Sequence, residues 1–360
     1  MGPDFALDEA QDAIVRLAGE VLDDDAATPD RLGKALGQAG LLTLAVPAPL
    51  GGAGLGAVET ALVIAEVARR AVAVPALSTL GLGVLPVTRW ATPDQQRDLL
   101  TGVGDGRVLT AALAEPGDPL PGAPRTTATI DWQVTGTKTG VSDAEQAHRI
   151  LVPVSRDTGG LAIAVVDPAA PGVTLRRTAT SAGTPEFTVR MDAVAAEPLG
   201  SAADGRCVAD LYRCAVATAC AAGDGALAGT LRLTAGHVRD RHQFGRPLAT
   251  FQAVAQQIAD VYVTSRTLHL AVLAACWGID AGPGPDDPRT GDDVWVAAYW
   301  LTGEALPALR SCHHLHGGLG LAADYPLHRH GALLRDLARR LGGAEHCLQR
   351  LGGRVVHRPD

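Results

Sequence analysis

Aromatic residues make up only 4% of this 360-residue chain. A core with so few rings must be built mainly from Ala, Leu and Val, which suits helices packed close together. No Lys/Arg-rich run occurs and the formal net charge is −8, which argues against nucleic acid and anionic membranes as partners. The six cysteines, at 207, 214, 220, 276, 312 and 347, include no C-x-x-C pair; scattered reduced thiols in a cytoplasmic protein are expected. The start, MGPDFALDEAQDAIV, has neither a basic segment nor an apolar one, so no signal peptide is expected. Apolar runs such as 213–222 are short of a membrane span. There is no G-x-S-x-G element, which sets serine hydrolysis aside.

What is present is 47% hydrophobic and 19% charged, enough for a large interior and for two or three domains. In LDEAQDAIVRLAGEVL, Ile14, Leu17 and Val21 recur at three- and four-residue steps, and 56–70 and 93–100 also read as helices. From about 108 to 200 the period shortens. Runs such as HRILVPVSRD, LAIAVVDP and EFTVRMDAV, punctuated by Gly, Pro and Asp, predict an antiparallel sandwich or barrel. Long helices return over roughly 205–240, 249–279 and 292–316, with a Gly/Pro/Asp loop at 280–293. The expected domains are helical (1–107), β (108–203) and a helical bundle (204–360), an α+β protein.

Several motifs admit more than one reading. Gly52, Gly54 and Ala57 satisfy a loose G-x-G-x-x-A dinucleotide turn, but Pro47 and Pro49 interrupt the approach where a strand is needed. A glycine-rich loop between helices is the better expectation. In HHLHGGLG (313–320), the histidines with Cys312, Cys347, His328, His330 and His346 could supply zinc ligands. The simpler reading is a helix C-terminus closed by Gly317; no metal is expected. In RDRHQFGRPLATFQ (239–252), Arg239 and Arg241 precede an aromatic–glycine turn and a helix starting near Thr250.

That last segment resembles the R-x-Q-F-G-x-P-hhh-F-Q element of acyl-CoA dehydrogenases. GLLTLAVPAPLGGAGLG, LAEPGDPLPG, VTGTKTGVSDAEQAHRILV and HLHGGLGLAADYPLHRHGALLRD resemble further family segments, in the family's order over essentially the whole chain. The resemblance implies the family fold: an N-terminal helical domain, a central antiparallel β domain and a C-terminal four-helix bundle. It also implies FAD as cofactor and an acyl-CoA thioester as substrate. A carboxylate removes the α-proton while the β-hydrogen leaves as hydride to the flavin. Arg241 would bind the flavin pyrophosphate, as a guanidinium fork matches phosphate oxygens. Gln243 and Phe244 would lie by the adenine, and Gly317 and Gly318 would admit a partner's diphosphate. Ala112–Pro116, Ala114 included, and Ser142 would line the flavin ring.

Against this pattern the chain departs where the chemistry is expected. The family's base positions correspond to Gly342 or Gly343, to Ala215, and in some bacterial relatives to Ala222. Glu345 is the nearby candidate, displaced by two or three residues. Gly140 replaces a Trp, the G-S-D after A-E-P is missing, and His314 stands at a Gln position. One chain of an α2β2 heteromer is therefore expected, its homologous partner carrying the catalytic Glu. The alternatives are a homo-oligomer with Glu345 or Asp224 as base, a non-catalytic structural partner, or a flavin monooxygenase.

Overall fold

The computed structural model describes residues 5–24, 28–201, 205–281 and 288–356. The first layer is helical: α1 (Glu9–Leu22), α2 (Pro29–Gln38), α3 (Ala57–Arg69), a π-helical stretch Leu77–Val84 running into α4 (Leu85–Trp90), and α5 (Pro93–Leu100). Side-chain caps from Asp8, Thr28 and Thr92 start α1, α2 and α5, each satisfying an otherwise unpaired N–H.

Eight strands follow: β1 (Val108–Ala111), β2 (Thr127–Ala128), β3 (Gln133–Ser142), β4 (Ala147–Arg156), β5 (Leu161–Val166), β6 (Val173–Thr178), β7 (Glu186–Ala195) and β8 (Glu197–Pro198). They form one sheet in the order β6-β7-β3-β2-β4-β5-β8, with β1 on β4. The sheet is mixed rather than wholly antiparallel, because β1 and β2 both run parallel to β4. No tight hairpin joins either to β4, so connection length leaves both directions open. Alternation divides the buried side chains between two cores. Ile150, Val152 and Val154 of β4 and Ala162, Ala164 and Val166 of β5 face an interior within the β domain. Leu151, Ile163 and Val165 join the helical core. Burial on both faces explains why these strands read as continuous apolar runs.

The last part contains α6 (Arg206–Asp240), a hairpin of β9 (His242–Gln243) and β10 (Arg246–Pro247), α7 (Gln252–Ala281), α8 (Pro288–Tyr299), α9 (Ala305–His316), α10 (Leu327–Arg340) and α11 (Gly343–Val356). The single helix expected over 292–316 begins at Pro288 and has a π-helical interruption at Trp300–Glu304. The expected loop 280–293 is thus shorter: α7 runs to Ala281, α8 starts at Pro288, and 282–287 lie outside the described residues, as does the 203/204 boundary. Helix α6 is long and apolar enough to cross a membrane by composition, yet its most apolar window is 89% buried inside the protein. It is the core helix, and it meets α3 closely. A Cβ on Gly225 would lie 1.9 Å from the Ala65 carbonyl oxygen.

The Gly52–Ala57 element follows a short 3-10 turn, not a strand, and leads into α3. The first N–H groups of α3, where a phosphate would bind, donate instead to the Asp280 carboxylate: Ala57 at 2.8 Å and Val58 at 3.1 Å. That helix end is already capped.

Candidate active site and dinucleotide surface

A cavity of about 530 Å³ opens where the three parts meet. Leu77 and Leu82 come from the π-helical stretch, Ala114, Gly140 and Ser142 from the β domain, and Ala215, Ala219 and Gly342 from the bundle. The small side chains of Ala114, Ala215 and Ala219 and the bare Gly140 and Gly342 leave room between the larger leucines. Ala114 pairs with Thr139 in an isolated bridge, and Thr110 donates to the Ser142 carbonyl at 2.9 Å, so both positions expected beside a flavin ring are on one wall.

Two of the three base positions, Ala215 and Gly342, line this cavity, and neither carries a carboxyl group. Ala222 lines a smaller neighbouring cavity of about 90 Å³. Glu345 does not face the cavity. It lies exposed on the first turn of α11, on the opposite side of that helix from Cys347, which is buried in the helical core. Asp224 is turned toward α7, where its carboxylate meets His269 at 2.8 Å.

Three acids line the cavity: the carboxylate of Asp118, half-buried, accepts only the Leu120 N–H at 3.2 Å among the described residues, whereas Glu115 and Glu186 are engaged with cations. Glu115 accepts from Lys138 (3.0 Å), from the backbone of Arg125 and Thr126 (2.8 and 2.9 Å) and from the Thr126 hydroxyl (2.7 Å). Burial pushes its carboxyl up, but these hydrogen bonds outweigh it and hold the group at about 2. Burial pulls Lys138 down against the opposing pull of Glu115. Glu186 accepts from Arg339 at 2.6 Å and Arg340 at 3.4 Å. This carboxylate–arginine cluster was not anticipated from sequence; the paired arginines just before the base position were its only local sign. A proton-abstracting carboxylate needs a free lone pair aimed at substrate, and neither Glu115 nor Glu186 has that arrangement.

The second expected group lies at the other end of α6. Arg241 caps that helix, donating its N–H to the His237 carbonyl at 2.8 Å, and leads into the β9–β10 hairpin. Phe244 (φ 54°) and Gly245 (φ 79°) form its two-residue turn, a left-handed pair that matches strand twist. Phe244 is 90% exposed, its ring edge-on to Phe251 at 6.1 Å. Gln243 is exposed on the same hairpin.

The α9 terminus stands beside it. The rings of His316 and His237 stack at 4.6 Å. His316 places Nδ1 2.8 Å from the Cys312 carbonyl, so Nδ1 carries the proton and Nε2 accepts from the Tyr325 hydroxyl at 2.9 Å. His330 is likewise committed, to the carbonyls of Pro326 and Arg69. Among the described residues no group of three His, Cys, Asp or Glu is placed to hold a metal. His314 is exposed, and Gly317 adopts φ 56°, ψ −138°. A Cβ on Gly317 or Gly318 would meet nothing within 4 Å; the bare turn faces open space, as a diphosphate cradle requires. The His237–His316 stack thus ties the end of α6, which leads into Arg241, Gln243 and Phe244, to the end of α9, which carries His314, Gly317 and Gly318; Ala114 and Ser142 lie apart, on the cavity wall.

A helical core packed on a β domain, with a cavity where the three parts meet, is the architecture of the acyl-CoA dehydrogenases of known structure that the chain resembles. Family models for the acyl-CoA dehydrogenase N-terminal domain and C-terminal domain match residues 5–107 and 211–355. The chain is 43% identical over 351 residues to acyl-CoA dehydrogenase FadE28 of Mycobacterium tuberculosis (strain ATCC 25618 / H37Rv), covering 98% of each. Among solved structures it is similar to the "Tcur3481-Tcur3483 steroid ACAD G363A variant" (TM-score 0.89, 33% identity, 97% and 98% covered). It is also similar to the ChsE4-ChsE5 complex from Mycobacterium tuberculosis (TM-score 0.89, 28% identity, 99% and 100% covered). The chain belongs to the acyl-CoA dehydrogenase family, and FAD is the cofactor of that enzyme class.

Proposed function

We propose that this chain is one subunit of a heteromeric acyl-CoA dehydrogenase whose homologous partner supplies the catalytic glutamate. The observation that carries the reading is the contrast between its two functional surfaces. The cavity wall holds Ala215 and Gly342 at the base positions, while Arg241, Phe244, Gly317 and Gly318 stand exposed. From Ala215 to Arg241 is 26 residues of nearly continuous helix, about 39 Å at ~1.5 Å per residue. One chain therefore offers its ring-side wall and its diphosphate-side surface to different flavins. The hairpin serves a dinucleotide seated mainly on a neighbour.

In this arrangement Arg241 would hold the pyrophosphate through its guanidinium fork, and the Gly317–Gly318 turn would let backbone approach it. FAD, when bound, supplies the hydride acceptor. Two of the relatives are named as pairs of different chains, Tcur3481-Tcur3483 and ChsE4-ChsE5, which supports a hetero-oligomer. The first is called a steroid enzyme, and the wide cavity lined by Ala114, Gly140, Ala215 and Ala219 suits a bulky acyl group of that kind. A cytoplasmic setting accords with six cysteines of which none is in a disulfide.

The test is co-expression with a homologous subunit carrying the missing Glu, followed by flavin stoichiometry and acyl-CoA oxidation. The reading expects FAD and turnover from the pair only. Stoichiometric FAD with turnover from this chain alone would overturn it.

A further inference from the structure

Behind Ser142 lies a buried carboxyl group to which the reading above assigns no task. Asp143 has a left-handed backbone, φ 56°, and is buried. Its N–H donates to the Pro185 carbonyl at 3.1 Å. One carboxyl oxygen accepts a short hydrogen bond from the Ser78 hydroxyl, and the other accepts from Gln146 Nε2 at 3.0 Å. Ser78 is itself buried, within the π-helical stretch Leu77–Val84. The Asp143–Ser78 contact thus joins the N-terminal helices to the end of β3, one residue beyond the cavity position Ser142. Irregular helix and strained backbone meeting at a cavity wall is a recurrent mark of functional positions.

The small cavity of about 90 Å³ lies here, and Leu77, Ser142 and Arg340 line both it and the large cavity. Arg340 is the only charged side chain facing Asp143 among the described residues lining that space. Its other interaction is with Glu186 of β7, at a long 3.4 Å. From α3, α6 and the rest of α10, the small cavity is lined by Ile64, Ala222 and Leu333, which carry no charge. Arg340 therefore stands between two carboxyl groups, one on each side of a shared wall.

We infer that Asp143 is a positioning residue of the active-site cavity, clamping the π-helical wall through Ser78 to the strand end that carries Ser142 and competing with Glu186 for Arg340. With a proton on Asp143, Arg340 stays with Glu186 and the large cavity keeps its shape. Loss of that proton places a charge in an apolar recess, and the nearest compensation is Arg340 turning from Glu186 toward Asp143. A left-handed turn alone would be served equally by asparagine; what asparagine lacks is the exchangeable charge.

Burial pushes the Asp143 carboxyl up, against the hydrogen bonds of Ser78 and Gln146 and the charge of Arg340. The sign of the linkage follows. The folded chain holds this proton to higher pH than the unfolded chain does, so the contribution is complete below the ordinary carboxylate range. It is lost as pH rises through the folded-state value.

The inference leans on the subunit reading only in giving Ser142 a flavin to face. Its test needs neither flavin nor turnover: the unfolding midpoint of the full chain, alone or in the complex in which it purifies, is measured against pH. Wild type is expected to lose stability with rising pH in a step that Asp143→Asn abolishes. Ser78→Ala removes a hydrogen bond that favours the charged form, and is expected to move the same step upward by about one pH unit. An unchanged step in Asp143→Asn overturns the inference, as does a downward move in Ser78→Ala, which also decides the matter if the asparagine variant does not fold. In the flavin-loaded complex, Asp143→Asn is further expected to flatten the corresponding limb of the turnover pH profile. Failure of the complex to form bears on the subunit reading and leaves the stability result intact.

Discussion

Substituting Gly342 and its neighbour Gly343 separately by alanine measures why no carboxylate occupies the first base position. Both glycines have φ 81°, so an L side chain at either pays the left-handed penalty of about 1–2 kcal/mol. They differ in what a side chain meets. A Cβ at 342 would lie 2.8 Å from His346 Cγ and 2.9 Å from Pro119 Cγ, whereas at 343 nothing lies within 4 Å. Relieving such a collision costs roughly 1–3 kcal/mol. Gly343→Ala is therefore expected to lose about 1–2 kcal/mol, and Gly342→Ala about 2–5 kcal/mol by adding the two terms. The backbone penalty and the entropy effect of removing a glycine are common to both and cancel in the difference. Urea unfolding of the full chain reads that difference, provided the slope is unchanged between variants. Equal losses, or a milder effect at 342, would refute the argument that this backbone excludes any side chain there. Gly342→Glu must then be at least as damaging as Gly342→Ala, which makes the missing base a property of the turn and not of one codon.

Further outcomes follow from the same geometry. Lys138→Met strands the buried Glu115 carboxylate, a loss of about 3 kcal/mol in chemical denaturation, and wild-type stability in Lys138→Met would remove the pair from the list of supports. Because Glu115 is held at about 2 from an ordinary 4.5, its contribution is present above pH 4.5 and fades as pH falls toward 2; Glu115→Gln should show a shallower acid transition. Phe244→Ala, at a 90% exposed position, is expected to change fold stability by less than about 0.5 kcal/mol while reducing FAD retention in the assembled complex. Equal FAD retention in that variant would take the hairpin out of the dinucleotide surface.

The fold was largely legible because its signals are local. Ile14, Leu17 and Val21 mark a helix by spacing, and β4 and β5 mark strands by β-branched content. The same reading placed Ala114, Ser142, Ala215 and Gly342 at matching motif positions, and all four line one cavity. What escaped it is long-range or irregular. Pro288 had the form of a helix first position, yet the Gly/Pro/Asp composition around it read as loop. The π-helical turns at 77–84 and 300–304 carry no period of their own. Glu186 meets Arg339 across 153 residues of sequence, and Asp143 meets Ser78 across 65, so neither partner is visible from its neighbours. Glu345 was the reverse case: near the base position in sequence, it is separated from the cavity by two left-handed glycines.

Helix α6 also acts as a ruler with a phase. A single residue deleted between Ala215 and Arg241 shortens the rod by only ~1.5 Å but turns its far end by about 100°. The hairpin would then point away from the surface it shares with the α9 terminus, and the His237–His316 stack would be broken. Insertions or deletions in this span are tolerable only near whole turns, and a seven-residue change, close to two turns, would preserve direction while shifting reach by about 10 Å. On the proposed reading, the number of residues along this one helix would set how far from the cavity, and in which direction, the hairpin is presented.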